Sequence, residues 1–309
     1  MKRVLVTGAD GFLGRNVLVA LLRRGFEVHA VCHRQQHPAL TQDVRCHRAD
    51  VLARSGVREV LESIRPYALL HLAWDTRHST YWKSVANLEW TVASLHLLQE
   101  FAAAGGQRVV IAGTSAEYRW DGHLPLDESH SLLQPDSLYG TCKNALREIV
   151  QSWAPIAGVS WAWGRIFNIF GPDEKSERLV PKIIRTLMAG KPLPFDEGLR
   201  LRDFLHVADA GDAFAALLAS EVQGPVNIAS GQPTSIRDLV SMIANHLDAL
   251  ELVSFGAVPV QAAQPARVVA NVARLRDEVG WQPPADLAQR VQETCDWWRA
   301  TESQSVGSL

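Results

Sequence analysis

Disulfide spacing, a long apolar run and an excess of charge are all missing from this sequence, and each absence removes a class of protein. The cysteines, Cys32, Cys46, Cys142 and Cys295, are scattered through 309 residues. They make neither the dense framework of a small secreted domain nor a zinc-finger spacing, so reduced thiols, a cytoplasmic setting and no metal are expected. No apolar stretch approaches a membrane span, and the N-terminus opens as a strand rather than a signal peptide. A net charge of −2 leaves no electrostatic footprint for nucleic acid or an anionic membrane. Internal repeats and long linkers are absent too. What remains is a chain of ordinary composition, long enough for one large domain or two lobes.

The most informative stretch is the first. Val4-Leu5-Val6 reads as a buried parallel strand, Thr7 and Gly8 end it, and an apolar helical pattern begins at Phe12 and Leu13. Gly8, Gly11 and Gly14 stand between strand and helix at intervals of three. The first permits a tight turn, the second lets backbone approach a pyrophosphate, and the third lets the helix lie close on the strand. Free N–H groups and a positive dipole at the helix start complete a dinucleotide site.

Glu27–Cys32 reads as strand two, after which an acid would bind the 2′-hydroxyl of NAD. Between Val28 and Gln42 there is none; His33 and Arg34 stand there, which favours the 2′-phosphate of NADP, with solvated surface cations as the alternative. Val44–Ala49 suits a third strand, with Asp50 and Val51 placed to face an adenine edge. Val57–Ile64 is helical, Ala68–Leu72 a fourth strand, and Leu72-Ala73 brings small residues where the nicotinamide half must run; His71 reads as structural. A helix over Tyr81–Ala104 and a strand over Arg108–Ala112 complete a βαβαβ order, and thus a doubly wound parallel α/β sheet.

Tyr139 and Lys143 fall one turn apart on a helix spanning Tyr139–Ala154, hence on one face. An ammonium beside the phenol, with a cationic nicotinamide, lowers the tyrosine pKa from about 10 toward neutrality and makes an acid/base. Val159–Ile166 is strand six, and the Gly171-Pro172 break marks a lobe boundary. Beyond it come helices over Leu179–Ala189, Ala208–Ala219 and Ser235–Leu247, strands over Leu201–Val207, Val226–Ala229, Leu252–Phe255 and Val268–Val272, and a last helix, Leu287–Ala300. Residues 1–166, joined by 201–220, form the cofactor domain; 167–300 form a smaller α/β substrate lobe, and Thr301–Leu309 reads as a disordered tail. Trp153, Trp161, Trp163, Trp281, Trp297 and Trp298 read as core; Trp74, Trp82 and Trp120 follow strand ends and are candidates to line a sugar or base site.

TGADGFLG (Thr7–Gly14), HLA (His71–Ala73), the Thr114 loop, YGTCK (Tyr139–Lys143), RIFNIFGP (Arg165–Pro172) and LRDFLHVAD (Leu201–Asp209) occur in the order found in extended short-chain dehydrogenase/reductases. Over nearly its whole length the chain resembles the nucleotide-sugar epimerases, dehydratases and 4-ketoreductases among them. The resemblance implies a Rossmann sheet and a catalytic set of Thr114, Tyr139 and Lys143, with Tyr139 and Lys143 also touching the cofactor. It places Asp10, Phe12 and Leu13 in the cofactor cleft beside the glycines, Asn168 and Arg202 on a sugar diphosphate, and Ser115 among the substrate contacts. Two departures matter. Dehydratases carry an acid two positions after the catalytic Thr, where this chain has Ala116, with Glu117 one later; C6 deoxygenation is therefore not expected. Many relatives put an Arg near Gln261 and an acid near Gln264 to grip the nucleotide, leaving Arg267 as a substitute.

The function expected first is NADP-dependent 4-ketoreduction of a nucleotide-linked 4-keto-6-deoxy sugar. A C4 epimerase that retains NAD uses the same residues and stands second. A binding or sensor protein without chemistry stands last, because Thr114, Tyr139 and Lys143 are all present. The partners expected are a nucleotide sugar and a second copy of the chain. The dimer would pair the helices bearing Leu88, Val92, Leu95, Leu97, Leu98 and Phe101 and Ala145, Leu146, Ile149 and Val150.

Overall fold

A computed structural model describes residues 1–32, 43–77, 80–120, 125–260 and 264–306. Short β-branched runs alternate with amphipathic helices: β1 (Arg3–Thr7), α1 (Phe12–Arg23), β2 (Glu27–Cys32), β3 (Val44–Arg48), α2 (Arg54–Ile64), β4 (Ala68–His71), α3 (Ala86–Ala103), β5 (Arg108–Thr114), α4 (Leu138–Ala157) and β6 (Ser160–Ile166). With β10 (Gly224–Ile228), these strands form a seven-stranded parallel sheet in the order β10-β6-β5-β4-β1-β2-β3. The order reverses between β1 and β4, which opens a crevice at their carboxyl ends. This is a Rossmann sheet.

Alternation along each strand feeds two apolar layers. Val4 and Val6 of β1 pack on one face with α1 and α6 (Val207–Ala219), while Leu5 joins the other face with residues of α2, α3 and α4. The smaller lobe holds β7 (Asn168–Phe170), α5 (Leu179–Met188), β8 (Leu193–Pro194), β9 (Leu201–His206), β11 (Pro233–Ser235), α7 (Ile236–His246), β12 (Val253–Ser254), β13 (Arg267–Val268) and α8 (Leu287–Val306). Strands β11, β9 and β13 form one small sheet, with β7 paired to β9. Helices α5, α7 and α8 enclose a core of their own through Ile184, Leu239, Ile243 and Val291.

Among the departures from the sequence reading, three bear on the architecture. Helix α3 starts at Ala86, not Tyr81, because the Asn87 amide donates to the Tyr81 and Ser84 carbonyls and holds that segment as a turn. The chain that returns to the large sheet is α6 and β10, whereas β9 stays in the small sheet. Helix α8 continues past Ala300 to Val306, where a disordered tail was expected: the Arg185–Glu302 ion pair docks the extra turn on α5. Residues 307–309 of that expected tail lie outside the described residues.

Candidate active site

The crevice is built by glycine. Gly8 turns the chain at φ +71°, and a Cβ there would sit 2.7 Å from the Ala73 nitrogen; a Cβ on Gly14 would sit 2.1 Å from the Gly8 carbonyl oxygen. Strand, helix and the loop after β4 thus meet backbone to backbone. Gly11 caps α1 with no side-chain bond and no acid in the first turn, and a Cβ on it would meet only the Gly8 oxygen, at 3.1 Å. Uncapped N–H groups at a helix start, beside a glycine that leaves room in front of them, fit the pyrophosphate of a dinucleotide. Asp10 lies in the turn, Phe12 and Leu13 open α1, and Leu13 is buried.

On the other wall, the Leu72 amide donates to the Thr7 carbonyl at 3.2 Å and the Ala73 amide to Thr7 Oγ1 at 3.4 Å. His71 has both ring nitrogens partnered, by Thr7 Oγ1 at 2.6 Å and Ser94 Oγ at 2.8 Å, and burial holds its pKa down at about 3. It is a neutral structural residue. At the adenosine end Val51 is buried and Asp50 Oδ1 accepts from the Leu52 amide at 2.9 Å. His33, Arg34 and Gln261 lie outside the described residues.

Thr114 ends β5, and Tyr139 and Lys143 sit in the first turns of α4, whose N-cap Ser137 accepts from the Gly140 amide at 3.2 Å. The Tyr139 hydroxyl faces the Thr114 side chain, which favours its ionised form. Lys143 Nζ donates to the Ala112 carbonyl at 2.8 Å and lies 3.7 Å from the centre of the Trp74 ring. The three residues do converge, but the expected charge relation is reversed in the free chain. Burial pushes the Tyr139 phenol up, with the Tyr81 phenol adding to it, and pushes Lys143 down to about 7. Removing both groups from water penalises their charged forms more than their neighbours favour them.

Aromatic rings surround Tyr139. Tyr81, Trp82 and Trp74 lie edge-on to it with centroids at 5.0, 5.7 and 6.4 Å, and Trp120 packs on Trp82 at 6.3 Å. The Trp74 indole donates to Asn87 and the Trp120 indole to the Ser115 carbonyl, so both rings offer apolar faces only. Of the candidate tryptophans, Trp120 borders a cavity of about 540 Å³ with Tyr118, Gln134, Asp136 and Gln264.

Glu117 points away from this space. Its carboxylate is fully buried and accepts from the Thr114 amide at 2.8 Å, the Trp163 indole at 2.8 Å and Arg165 Nε at 2.7 Å. Arg165 continues to the Tyr118 hydroxyl, which donates to Asn227. The cluster fixes the end of β5, and with it Thr114. Sequence reasoning missed Arg165 and Asn227, since only the fold brings them to Glu117.

A second cavity, of about 500 Å³, shares Gln264 with the first and is bordered by Asn168, Lys182, Arg200 and Arg202. Asn168 donates to the Asp203 carbonyl at 3.1 Å; Arg202 donates to the Leu201 and Pro265 carbonyls and is pushed down to about 10 by burial. Arg200 is paired with Asp196 at 2.8 Å, yet its Nε and a terminal nitrogen are buried without a partner among the described residues, as is Nε of Arg267. Buried guanidinium donors with nothing to hold suit a diphosphate. Arg267 is placed beside Leu201 by β13 and borders neither cavity. Lys182 and Arg200 carried no signal in the sequence beyond their charge.

Residues 4–229 match the model of the NAD dependent epimerase/dehydratase family, and the chain belongs to that family. Such enzymes are NAD(P)-dependent and of oxidoreductase type. The chain is 26% identical to a UDP-glucose 4-epimerase of Corynebacterium glutamicum, over 97% of this chain and 96% of the relative. It is 27% identical to a dTDP-6-deoxy-L-talose 4-dehydrogenase (NAD(+)) of Aggregatibacter actinomycetemcomitans, over 79% and 90% of the two. Among solved structures, a Thermus thermophilus UDP-glucose 4-epimerase in complex with NAD superposes with a TM-score of 0.84 at 23% identity, covering 96% of this chain and 99% of that one.

Proposed function

We propose that the chain inverts C4 of a nucleotide-linked hexose by way of a 4-keto sugar. The observation that carries this reading is the meeting of Thr114, at the carboxyl end of β5, with Tyr139 and, one turn on, Lys143. The sequence alone ranked 4-ketoreduction first; the UDP-glucose 4-epimerase relative, matched over nearly both full lengths, reverses that order. Thr114 and Tyr139 hold the C4 oxygen, and Tyr139 removes or returns its proton. Lys143 supplies positive charge one turn behind the phenol when protonated, and its position in the crevice suits contact with the cofactor ribose. When bound, the nicotinamide supplies hydride chemistry at C4. Arg202, Arg200, Lys182 and Asn168 anchor the diphosphate, so the sugar end reaches toward Trp120 and Trp82.

NAD retained by the protein fits an epimerase, and the Thermus thermophilus neighbour was solved with NAD. A second reading, NADPH-dependent 4-ketoreduction, is favoured by the absence of any acid between Val28 and Gln42, by Arg34, and by the dehydrogenase relative. One experiment separates them. The purified protein is incubated with UDP-glucose and with a nucleotide-linked 4-keto-6-deoxy sugar, with and without NADPH, and products are read by NMR. Interconversion of UDP-glucose and UDP-galactose without added cofactor supports the epimerase. Loss of NADPH absorbance in step with the 4-keto sugar, and no interconversion, supports the reductase.

A further inference from the structure

One pair of nucleophilic side chains lies outside the chemistry described so far. Cys32, the last residue of β2, donates its thiol hydrogen to the sulfur of Cys46 on β3 at 3.0 Å. The strands are parallel and in register, with Ala30 opposite Cys46 and Cys32 opposite Arg48, so both sulfurs fall on the same face of the sheet. Cys46 is exposed and Cys32 is buried. Burial pushes the Cys32 thiol up to about 12, and the neighbouring Cys46 and the Asp10 carboxylate of the glycine turn add to the rise. Asp10 thus lies within electrostatic reach of the pair, which stands at the adenosine end of the cofactor crevice. In sequence, Cys32 directly precedes His33 and Arg34.

We propose that Cys32 and Cys46 are a modification site: a peroxide joins them in an intramolecular disulfide that weakens cofactor binding. The division of labour follows from exposure. The Cys46 thiolate attacks one peroxide oxygen, the O–O bond breaks, and Cys46 becomes a sulfenic acid while the departing hydroxide takes up the proton the thiol had given to solvent and leaves as water. The Cys32 sulfur then attacks the Cys46 sulfur; the S–O bond breaks, and the departing hydroxide takes the Cys32 proton as a second water. Two thiols are oxidised by two electrons, and one peroxide is reduced to two waters. A dithiol reductant reverses the bond by thiol–disulfide exchange. The remaining thiols, Cys142 and Cys295, are buried on α4 and α8 and are shielded from this attack. Tying the end of β2 to β3 changes the strand end that faces the adenosine ribose, while a bound dinucleotide slows the first step by covering it.

The test uses the full chain, reduced and then treated with hydrogen peroxide. The expected result is the loss of two of the four free thiols, a mass lower by two hydrogens, and a peptide map linking residues 32 and 46. Whichever of NADH and NADPH binds the reduced protein more tightly then binds the oxidised protein more weakly by fluorescence titration, and dithiothreitol restores it. Cys46→Ser, on an exposed strand position, should keep both thiol count and affinity unchanged under peroxide. Oxygen uptake on Cys46 without the 32–46 link, a link only between two copies, or a linked protein with undiminished affinity would each overturn the proposal.

Discussion

Lys143 Nζ sits 3.7 Å from the centre of the Trp74 ring, inside a pocket that holds the lysine pKa at about 7. The free protein therefore carries an ammonium below that pH and an amine above it. A bound dinucleotide adds negative charge and raises the lysine pKa, so binding above pH 7 takes up a proton. Affinity for cofactor should consequently fall as pH rises past about 7, by up to about tenfold per unit. Fluorescence titrations at a series of pH values check this, and Lys143→Met should flatten the slope. A wild-type affinity independent of pH on the alkaline side would contradict it.

Removing the proton carrier should spare binding. Tyr139→Phe keeps the ring against Tyr81, Trp82 and Trp74 and deletes only the hydroxyl that faces Thr114. Turnover should drop about a hundred- to ten-thousand-fold with cofactor affinity retained. Thr114→Val should cost less, because it takes away one hydrogen bond and leaves the acid in place. Single-turnover measurements with each variant decide the matter. Near-normal turnover in Tyr139→Phe would remove Tyr139 from the mechanism.

Glu117 should report in stability rather than in chemistry. Its carboxylate is the buried counter-charge of Arg165 and receives the Thr114 amide. Glu117→Gln leaves the guanidinium without its charge partner, which costs about 3–5 kcal/mol. Urea unfolding measures that loss. A variant with unchanged stability and no turnover would instead make Glu117 a proton source.

The exposed apolar side chains of α3 and α4 predict a homodimer, through fewer residues than the sequence pattern proposed. Leu97, Leu98, Phe101, Leu146 and Val150 are buried within the chain, leaving Leu88, Val92 and Ile149 at 54%, 52% and 44% exposure, with Ala145 exposed and Leu95 half-buried. Light scattering should give twice the chain mass at micromolar concentration, and Val92→Glu should lower it to one. A monomeric wild type would refute the prediction.

The glycine spacing and the Tyr139–Lys143 spacing were legible because each is a local pattern whose meaning lies within one turn of chain. Helix α3 was misplaced at its start because the turn before it is held by the Asn87 side chain, not by propensity. The burial that shifts Tyr139 and Lys143 in the free chain was illegible for a related reason: neighbours in sequence show the charges, and only packing shows the burial. Arg165 and Asn227 come to Glu117 and Tyr118 from strands β6 and β10, roughly fifty and a hundred residues along, and no local pattern encodes such a meeting.

The return of α6 and β10 to the large sheet has a consequence for how this molecule can be taken apart. Strand β10 covers the edge of β6, and α6 packs on α1, although both follow the first strands of the small lobe. A fragment cut after Ile166 would bare that edge to other chains and remove one of the two helices covering an apolar face of the sheet. The large sheet is thus completed only by chain that lies beyond the first strands of the small lobe. A chimera that swaps the sugar-binding half must carry residues 207–228 with the cofactor half, across three junctions instead of one.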